Sequence, residues 1–260
     1  MIKYWKPGET LEKYIDHTLL KPGATEADIA RLCDEARVYG FHSVCVNGVW
    51  VDYCRERLAG SSVRISAVVG FPLGASDPRV KAFEAAAAVE DGASEIDMVL
   101  SVGHVLQGRF GVVANDIAGV VRAVEGRAIV KVILETGLLD DTQIAEACRV
   151  AEAAGAHYVK TSTGFGPGGA TEAHVRLMRA SVSPTIGVKA AGGIRDGRTA
   201  RQLLAAGANR LGTSAGVAIL AGLPADVTPQ AGSRPSDGPA ADGSRSADST
   251  AAGPEANTRY

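Results

Sequence analysis

A parallel α/β chain closed into a (β/α)8, or TIM, barrel is the fold that this 260-residue sequence predicts, and three observations predict it. From residue 10 to about 220, short apolar or β-branched runs alternate with Ala-, Glu- and Arg-rich stretches of helical spacing. That alternation is the signature of parallel strands covered by helices on both faces. Eight such strands fit within about 210 residues, the compact end of the barrel's size range. The residues best suited to chemistry end several different strands, as barrels arrange them. A doubly wound open sheet is the competing architecture, and the lack of a GxGxxG fingerprint after the first strand counts against it.

Each element has its own reason. The first strand (14–20, YIDHTLL) is followed by a helix over 26–39 that stops at Gly40. The second (41–47, FHSVCVN) leads to a helix over 49–59 before Gly60, and the third (64–70, RISAVVG) to one over 77–91 before Gly92. The fourth (94–100, SEIDMVL) leads to a long helix over 105–124, stopped near Gly126. The fifth (128–135, AIVKVILE) precedes a helix over 141–154 ending at Gly155. The sixth (157–161, HYVKT) precedes 171–180, and the seventh (185–190, TIGVKA) precedes 197–206 and Gly207. The eighth (210–212, RLG) has at most a short helix after it, 215–221. These glycines stand where a left-handed residue terminates a helix. Three units even end alike, in EDGASEIDMV, EAAGAHYVK and LAAGANRLG.

Beyond about 222 the texture changes to Pro, Gly, Ala, Ser and Asp, with Leu223 and Val227 the only aliphatics larger than Ala. Such a segment buries too little apolar surface to offset its ordering entropy. The expected organisation is a barrel over 1–221 and a disordered tail over 222–260.

Composition narrows the function. With 46% hydrophobic residues, 22% charged and a net charge of −2, the chain reads as an ordinary soluble globular protein with no electrostatic footprint for nucleic acid. No apolar run approaches membrane-spanning length, and the N-terminus has no signal core. Four cysteines lack metal spacing, so a cytoplasmic protein with free thiols is expected. Five histidines are scattered without an HxH or HxxxH pair, which argues against a metal-dependent aldolase. No metal or cofactor is expected.

The chemistry is written in the lysines. Arg outnumbers Lys 19 to 8, yet Lys131, Lys160 and Lys189 lie inside predicted strands, 29 residues apart in each interval. That interval is about one strand–helix unit, so a repeat would place all three at equivalent positions. Crowded, desolvated lysines become amine nucleophiles, and the pattern reads as a Schiff-base site. A lysine snorkelling to water is the bland alternative for any one of them. Asp97 is an acid inside an apolar strand, costly unless paired or functional. It is either a proton relay or the partner of Lys131 in a buried ion pair, and Glu95 shares its strand face. Glycine loops follow the last three strands, at Gly164-Phe165-Gly166, Gly192-Gly193 and Gly212-Thr213-Ser214. Their backbone amides suit a phosphate without a cationic clamp. Cys45 reads as a small core residue, exposed to aldehydes only if it faces the barrel mouth. Rival readings are a different Schiff-base aldolase or transaldolase, and a non-catalytic phosphosugar sensor.

These motifs resemble one family. DHTLLKPGAT (16–25), VCVN (44–47), VVGFPLGA (68–75), EIDMV (95–99), VKVILETG (130–137), VKTSTGFGPGGAT (159–171), VKAAGGIR (188–195) and RLGTSAG (210–216) are similar in order and spacing to the deoxyribose-phosphate aldolases. The resemblance implies reversible, metal-free cleavage of 2-deoxy-D-ribose 5-phosphate to D-glyceraldehyde 3-phosphate and acetaldehyde. It makes Lys160 the Schiff-base lysine, Lys189 the lysine that depresses its pKa, and Asp97 the acid/base acting through a water. Asp16 would support Lys189, and Thr18 would line the substrate site. Gly164, Phe165, Gly192, Gly193 and Ser214 would hold the phosphate. A homodimer or homotetramer is expected, since such barrels often assemble so. Ala215 stands where some members have a second serine, and the chain ends in Tyr260, the residue type that in some relatives reaches back to the site.

Overall fold

The computed structural model describes residues 2–124 and 126–222. From residue 223 on, the expected disordered tail, with Tyr260, lies outside the described residues. The strands are β1 (Ile15–Leu19), β2 (Ser43–Val46), β3 (Arg64–Val69), β4 (Glu95–Val99), β5 (Ile129–Ile133), β6 (Tyr158–Lys160), β7 (Gly187–Ala191) and β8 (Arg210–Thr213). The helices are α1 (Glu26–Tyr39), α2 (Val51–Arg57), α3 (Pro78–Glu90), α4 (Val102–Leu106), α5 (Phe110–Val124), α6 (Asp141–Ala153), α7 (Glu172–Ser181), α8 (Gly197–Ala205) and α9 (Gly216–Leu220). All neighbouring strands pair in parallel, and β8 closes on β1 through Asp16 opposite Gly212, completing the predicted barrel.

Local sequence explains where the helices start. Thr25 and Asp140 each accept from the backbone three residues on while the third residue's side chain answers, forming capping boxes for α1 and α6. Asp77 caps α3, with Pro78 at the first helical position, where its missing amide costs nothing. One element departs from expectation: the single helix over 105–124 is two. Gly108 adopts φ +68° and ends α4, and α5 restarts at Phe110. A glycine two residues past a helix end is as effective a break as one at a unit boundary.

The two faces of the strands differ in kind. Outward side chains such as Val44, Val46, Ala67, Ile96, Met98, Val130, Val132, Val159, Val188 and Leu211 join the helices in one continuous apolar layer and are fully buried. Each Val, Leu, Ile or Met among them contributes about 1.5–3 kcal/mol of burial. The lumen side is largely polar instead, and its charged residues form the site described next. Barrel interiors are more often filled with branched aliphatics.

Candidate active site

Asp97 lies in the middle of β4, and three lysines converge on it. Lys131 of β5 donates to Oδ1 at 2.6 Å; Lys160, the last residue of β6, and Lys189 of β7 both donate to Oδ2 at 2.8 Å. The expectation of equivalent strand positions holds for one pair only. Lys160 is the register partner of Lys189, whereas Lys131 stands opposite Tyr158, one pleat lower. The stagger of a closed barrel shifts register between strands, so equal spacing in sequence does not give equal height. Side-chain length closes the gap.

The network continues downward. Lys131 also pairs with Glu95 at 2.6 Å, and Lys189 with Asp16 at 2.5 Å. Arg210, at the start of β8, bridges Asp16 at 2.9 Å and Glu95 at 3.2 Å and lies over the Tyr158 ring. Ser43 donates to Asp16 and Ser66 to Asp97. His42, at the bottom, reaches Glu95 at 3.0 Å. Among the buried groups, with every one ionised, Lys131, Lys160, Lys189 and Arg210 face Asp16, Glu95 and Asp97, four positive charges against three negative, and the exposed Arg64 reaches Glu95 from outside at 3.7 Å. The cluster therefore holds one proton more than neutrality requires, and amine catalysis needs one removed.

Electrostatics fixes most of these charges. Burial alone would raise the Asp97 carboxyl, but Lys131, Lys160 and Lys189 override it and hold it well below the usual range. Asp16 is lowered in the same way, against burial, by Lys189 and Arg210. Glu95 is brought to about 2, with Lys131 and the His42 hydrogen bond outweighing desolvation. Burial would lower Lys189, yet Asp16 and Asp97 raise it, so it stays a fixed cation beside Lys160. Lys131 is likewise raised against burial by Asp97 and Glu95. Of the two sequence readings of Asp97, the ion pair with Lys131 is present, and the same carboxylate also touches Lys160.

Three loops form the rim above this cluster. Ala170 donates to Gly192 O at 3.0 Å, and a Cβ on Gly169 would lie 2.5 Å from that oxygen, so the loops after β6 and β7 lie backbone to backbone. Thr213 donates to Ile194 O at 2.7 Å, tying β8 to the β7 loop. Gly164, Gly192 and Gly193 have φ of +84°, +93° and +78°, conformations that suit glycine. Among the described residues, the amides of Gly164, Gly193 and Ser214 meet no protein acceptor. The Phe165 amide is different, because it donates to Thr163 Oγ1 at 3.0 Å. Phe165 instead offers its ring, packed edge-on against Phe71 at 5.3 Å. Thr18 sits half-buried near the end of β1 with its hydroxyl on Asp16 O.

Cys45 faces the lumen but is fully buried, in a small apolar cluster with Leu20 and Val68 against which Phe71 packs. Burial pushes its thiol up, so it is a packed residue and not an exposed nucleophile. Sequence reasoning did not single out Arg210, Ser43, Ser66 or Glu135 as site residues. Arg210 carried the lysines' own signal, a cation opening a predicted strand; the serines carried none.

The residues 10–222 match the family model described as DeoC/LacD family aldolase. Deoxyribose-phosphate aldolase 1 of Bacillus licheniformis is 52% identical over 83% of this chain and 97% of its own. The deoxyribose-phosphate aldolase of Streptococcus pneumoniae serotype 19F is 55% identical over 83% of this chain and 98% of its own. Among solved structures, the tetrameric deoxyribose phosphate aldolase of Aeropyrum pernix superposes with a TM-score of 0.76 at 38% identity, covering 81% of this chain and 89% of that one.

Proposed function

The chain belongs to the DeoC/LacD family of aldolases, and from that premise we propose how its lumen cleaves a sugar phosphate. The enzyme is a class I aldolase that reversibly splits 2-deoxy-D-ribose 5-phosphate into D-glyceraldehyde 3-phosphate and acetaldehyde, a step of deoxyribose phosphate breakdown. The observation that carries the mechanism is the single carboxylate oxygen, Asp97 Oδ2, that holds Lys160 and Lys189 at equal distances of 2.8 Å.

Lys160 Nζ, freed of its extra proton, attacks the aldehyde carbon of the open-chain sugar. The carbinolamine loses water and becomes an iminium, which acts as an electron sink. A base then takes the proton from the sugar's C3 hydroxyl. The C2–C3 bond breaks, its electron pair entering the iminium to give an enamine, and glyceraldehyde 3-phosphate leaves. Protonation of the enamine carbon and hydrolysis release acetaldehyde and restore the amine. Asp97 suits the relay of these protons through a water, because it already touches Lys160 and is anchored by Lys131 and Ser66. Lys189, held cationic by Asp16 and Asp97, supplies fixed positive charge beside the nucleophile. The unengaged amides of Gly164, Gly193 and Ser214, with Gly192 shaping the turn, suit the phosphate at the rim. Thr18 and the Phe165 ring border the path between rim and lysine.

The test is mass spectrometry of the intact protein after acetaldehyde and borohydride, followed by peptide mapping. One reduced adduct on Lys160 is expected. An adduct on Lys189 or Lys131 would keep the class and reassign the nucleophile; none at all would overturn the Schiff-base mechanism.

The assembly we propose is a homodimer or homotetramer, supported by the tetrameric Aeropyrum pernix relative. No helix among the described residues is long and apolar enough to cross a membrane. A cytoplasmic setting fits the four buried, unpaired cysteines.

A further inference from the structure

Glu135, just beyond β5, has φ +56° and ψ +59°, and among the described residues no other non-glycine has a positive φ. A side chain is disfavoured in that conformation, and such outliers persist where the surroundings enforce them. The side chain is buried, yet among the described residues its carboxylate meets no cation. It faces the β6 loop instead. Thr163 Oγ1 donates to Oε2 in a very short contact, and the Thr163 amide lies 3.4 Å from both carboxylate oxygens. Thr163 Oγ1 in turn accepts from the Phe165 amide. Gly166 closes over the carboxyl so tightly that a Cβ there would lie 2.8 Å from Glu135 Cδ.

A negative charge directly beneath a phosphate-receiving loop works against the anion unless it has another task. The task visible here is orientation. By accepting from the Thr163 hydroxyl, the carboxylate fixes that hydroxyl's lone pair toward the Phe165 amide. The turn is thereby pinned from both sides of Gly164, whose own amide is left pointing free.

We propose that Glu135 is a positioning residue for phosphate recognition: its carboxylate locks Thr163, three residues past the Schiff-base lysine, and so sets the Gly164–Phe165 turn. This rests on the reading of the rim as the phosphate site. The phosphate is on one end of the substrate and the reacting carbon on the other, so the effect should divide between them. Replacement by glycine, which tolerates the backbone, removes the whole side chain and its carboxylate; replacement by glutamine keeps an acceptor of the same length.

The experiment compares wild type, Glu135→Gly and Glu135→Gln on 2-deoxyribose 5-phosphate and on unphosphorylated 2-deoxyribose, with calorimetric binding of inorganic phosphate to each and a melting curve for each. For Glu135→Gly the expected result is a rise of about tenfold in KM for the phosphorylated sugar, the scale of one or two lost oriented hydrogen bonds. Inorganic phosphate should weaken in parallel, kcat should fall much less, and Glu135→Gln should recover part of the loss. Equal losses on both sugars would overturn the proposal in favour of a general structural role. Unchanged KM and unchanged phosphate binding would overturn it outright. Should Glu135→Gly fail to fold, Thr163→Val, which removes the hydroxyl linking Glu135 to the Phe165 amide, is read on the same KM-against-kcat division, and an unchanged KM there overturns the proposal. A wild-type enzyme that binds inorganic phosphate but cleaves neither sugar would count against the proposed reaction and leave phosphate binding by the variants as the measure of this inference.

Discussion

Along β4, successive residues alternate between two environments. Glu95 and Asp97 point into the lumen and hold six ion pairs with lysines and arginines between them, while Ile96 and Met98 point outward into the apolar layer. Both sets are fully buried. The outward pair gains directly from leaving water. For the inward pair, the desolvation cost of each charge offsets much of its attraction to partners, so these acids stabilise less than their contacts suggest while placing an amine, a carboxylate and a fixed cation within reach of one another. One strand therefore carries stability on one face and chemistry on the other, and substitutions should separate the two.

The sharpest break is Lys160→Ala. It should reduce sugar-phosphate cleavage to background and abolish borohydride trapping, with a melting temperature no lower than wild type, since it removes the surplus charge of a four-against-three cluster. A fully active variant would end the proposed mechanism. Lys131→Met comes next, because it strands Asp97 and Glu95 without their shared partner; breaking a buried pair in this way costs about 3–5 kcal/mol, readable in urea unfolding, and should also lower kcat. Ile96→Ala, between the two acids, should cost about 2–5 kcal/mol of stability while leaving kcat nearly intact, and a large kcat loss there would show that the two faces are not separable. Acid gives the smallest and most gradual effect. Glu95 falls from its ordinary 4.5 to about 2 on folding. A group whose folded value is depressed stabilises above its unfolded pKa and loses that contribution as pH falls through the folded one. About 3 kcal/mol should thus disappear between pH 4.5 and 2, and Glu95→Gln should flatten that part of the stability curve.

Much of this was legible in the sequence, and the reason differs by element. Strands and helices announced themselves through alternation and terminal glycines, since those signals are local. The lysines and Asp97 were conspicuous because charge inside an apolar run has few innocent explanations. Ser66 was not, because a serine inside a strand carries no such signal, and Arg210, though a cation opening a strand, has partners on β1 and β4 that only the closed barrel brings to it. The barrel's register displaced Lys131 from the level its spacing suggested. The break at Gly108 was missed because a single glycine inside a helical pattern is often tolerated. Glu135 gave no sign, since a positive φ at a non-glycine is imposed by surroundings that the local sequence does not contain.

The separation of buried lumen from exposed rim also divides the molecule by its response to ionic strength. Dissolved ions screen charges over about 8 Å at physiological concentration, but they do so from solvent, and the lumen carboxylates are sealed from it. The amides of Gly164, Gly193 and Ser214 stand at the solvent boundary. Added salt can therefore compete for a phosphate at the rim while the ion pairs around Lys160 go unscreened, so that salt governs how often a substrate is captured and hardly touches what happens to it once inside.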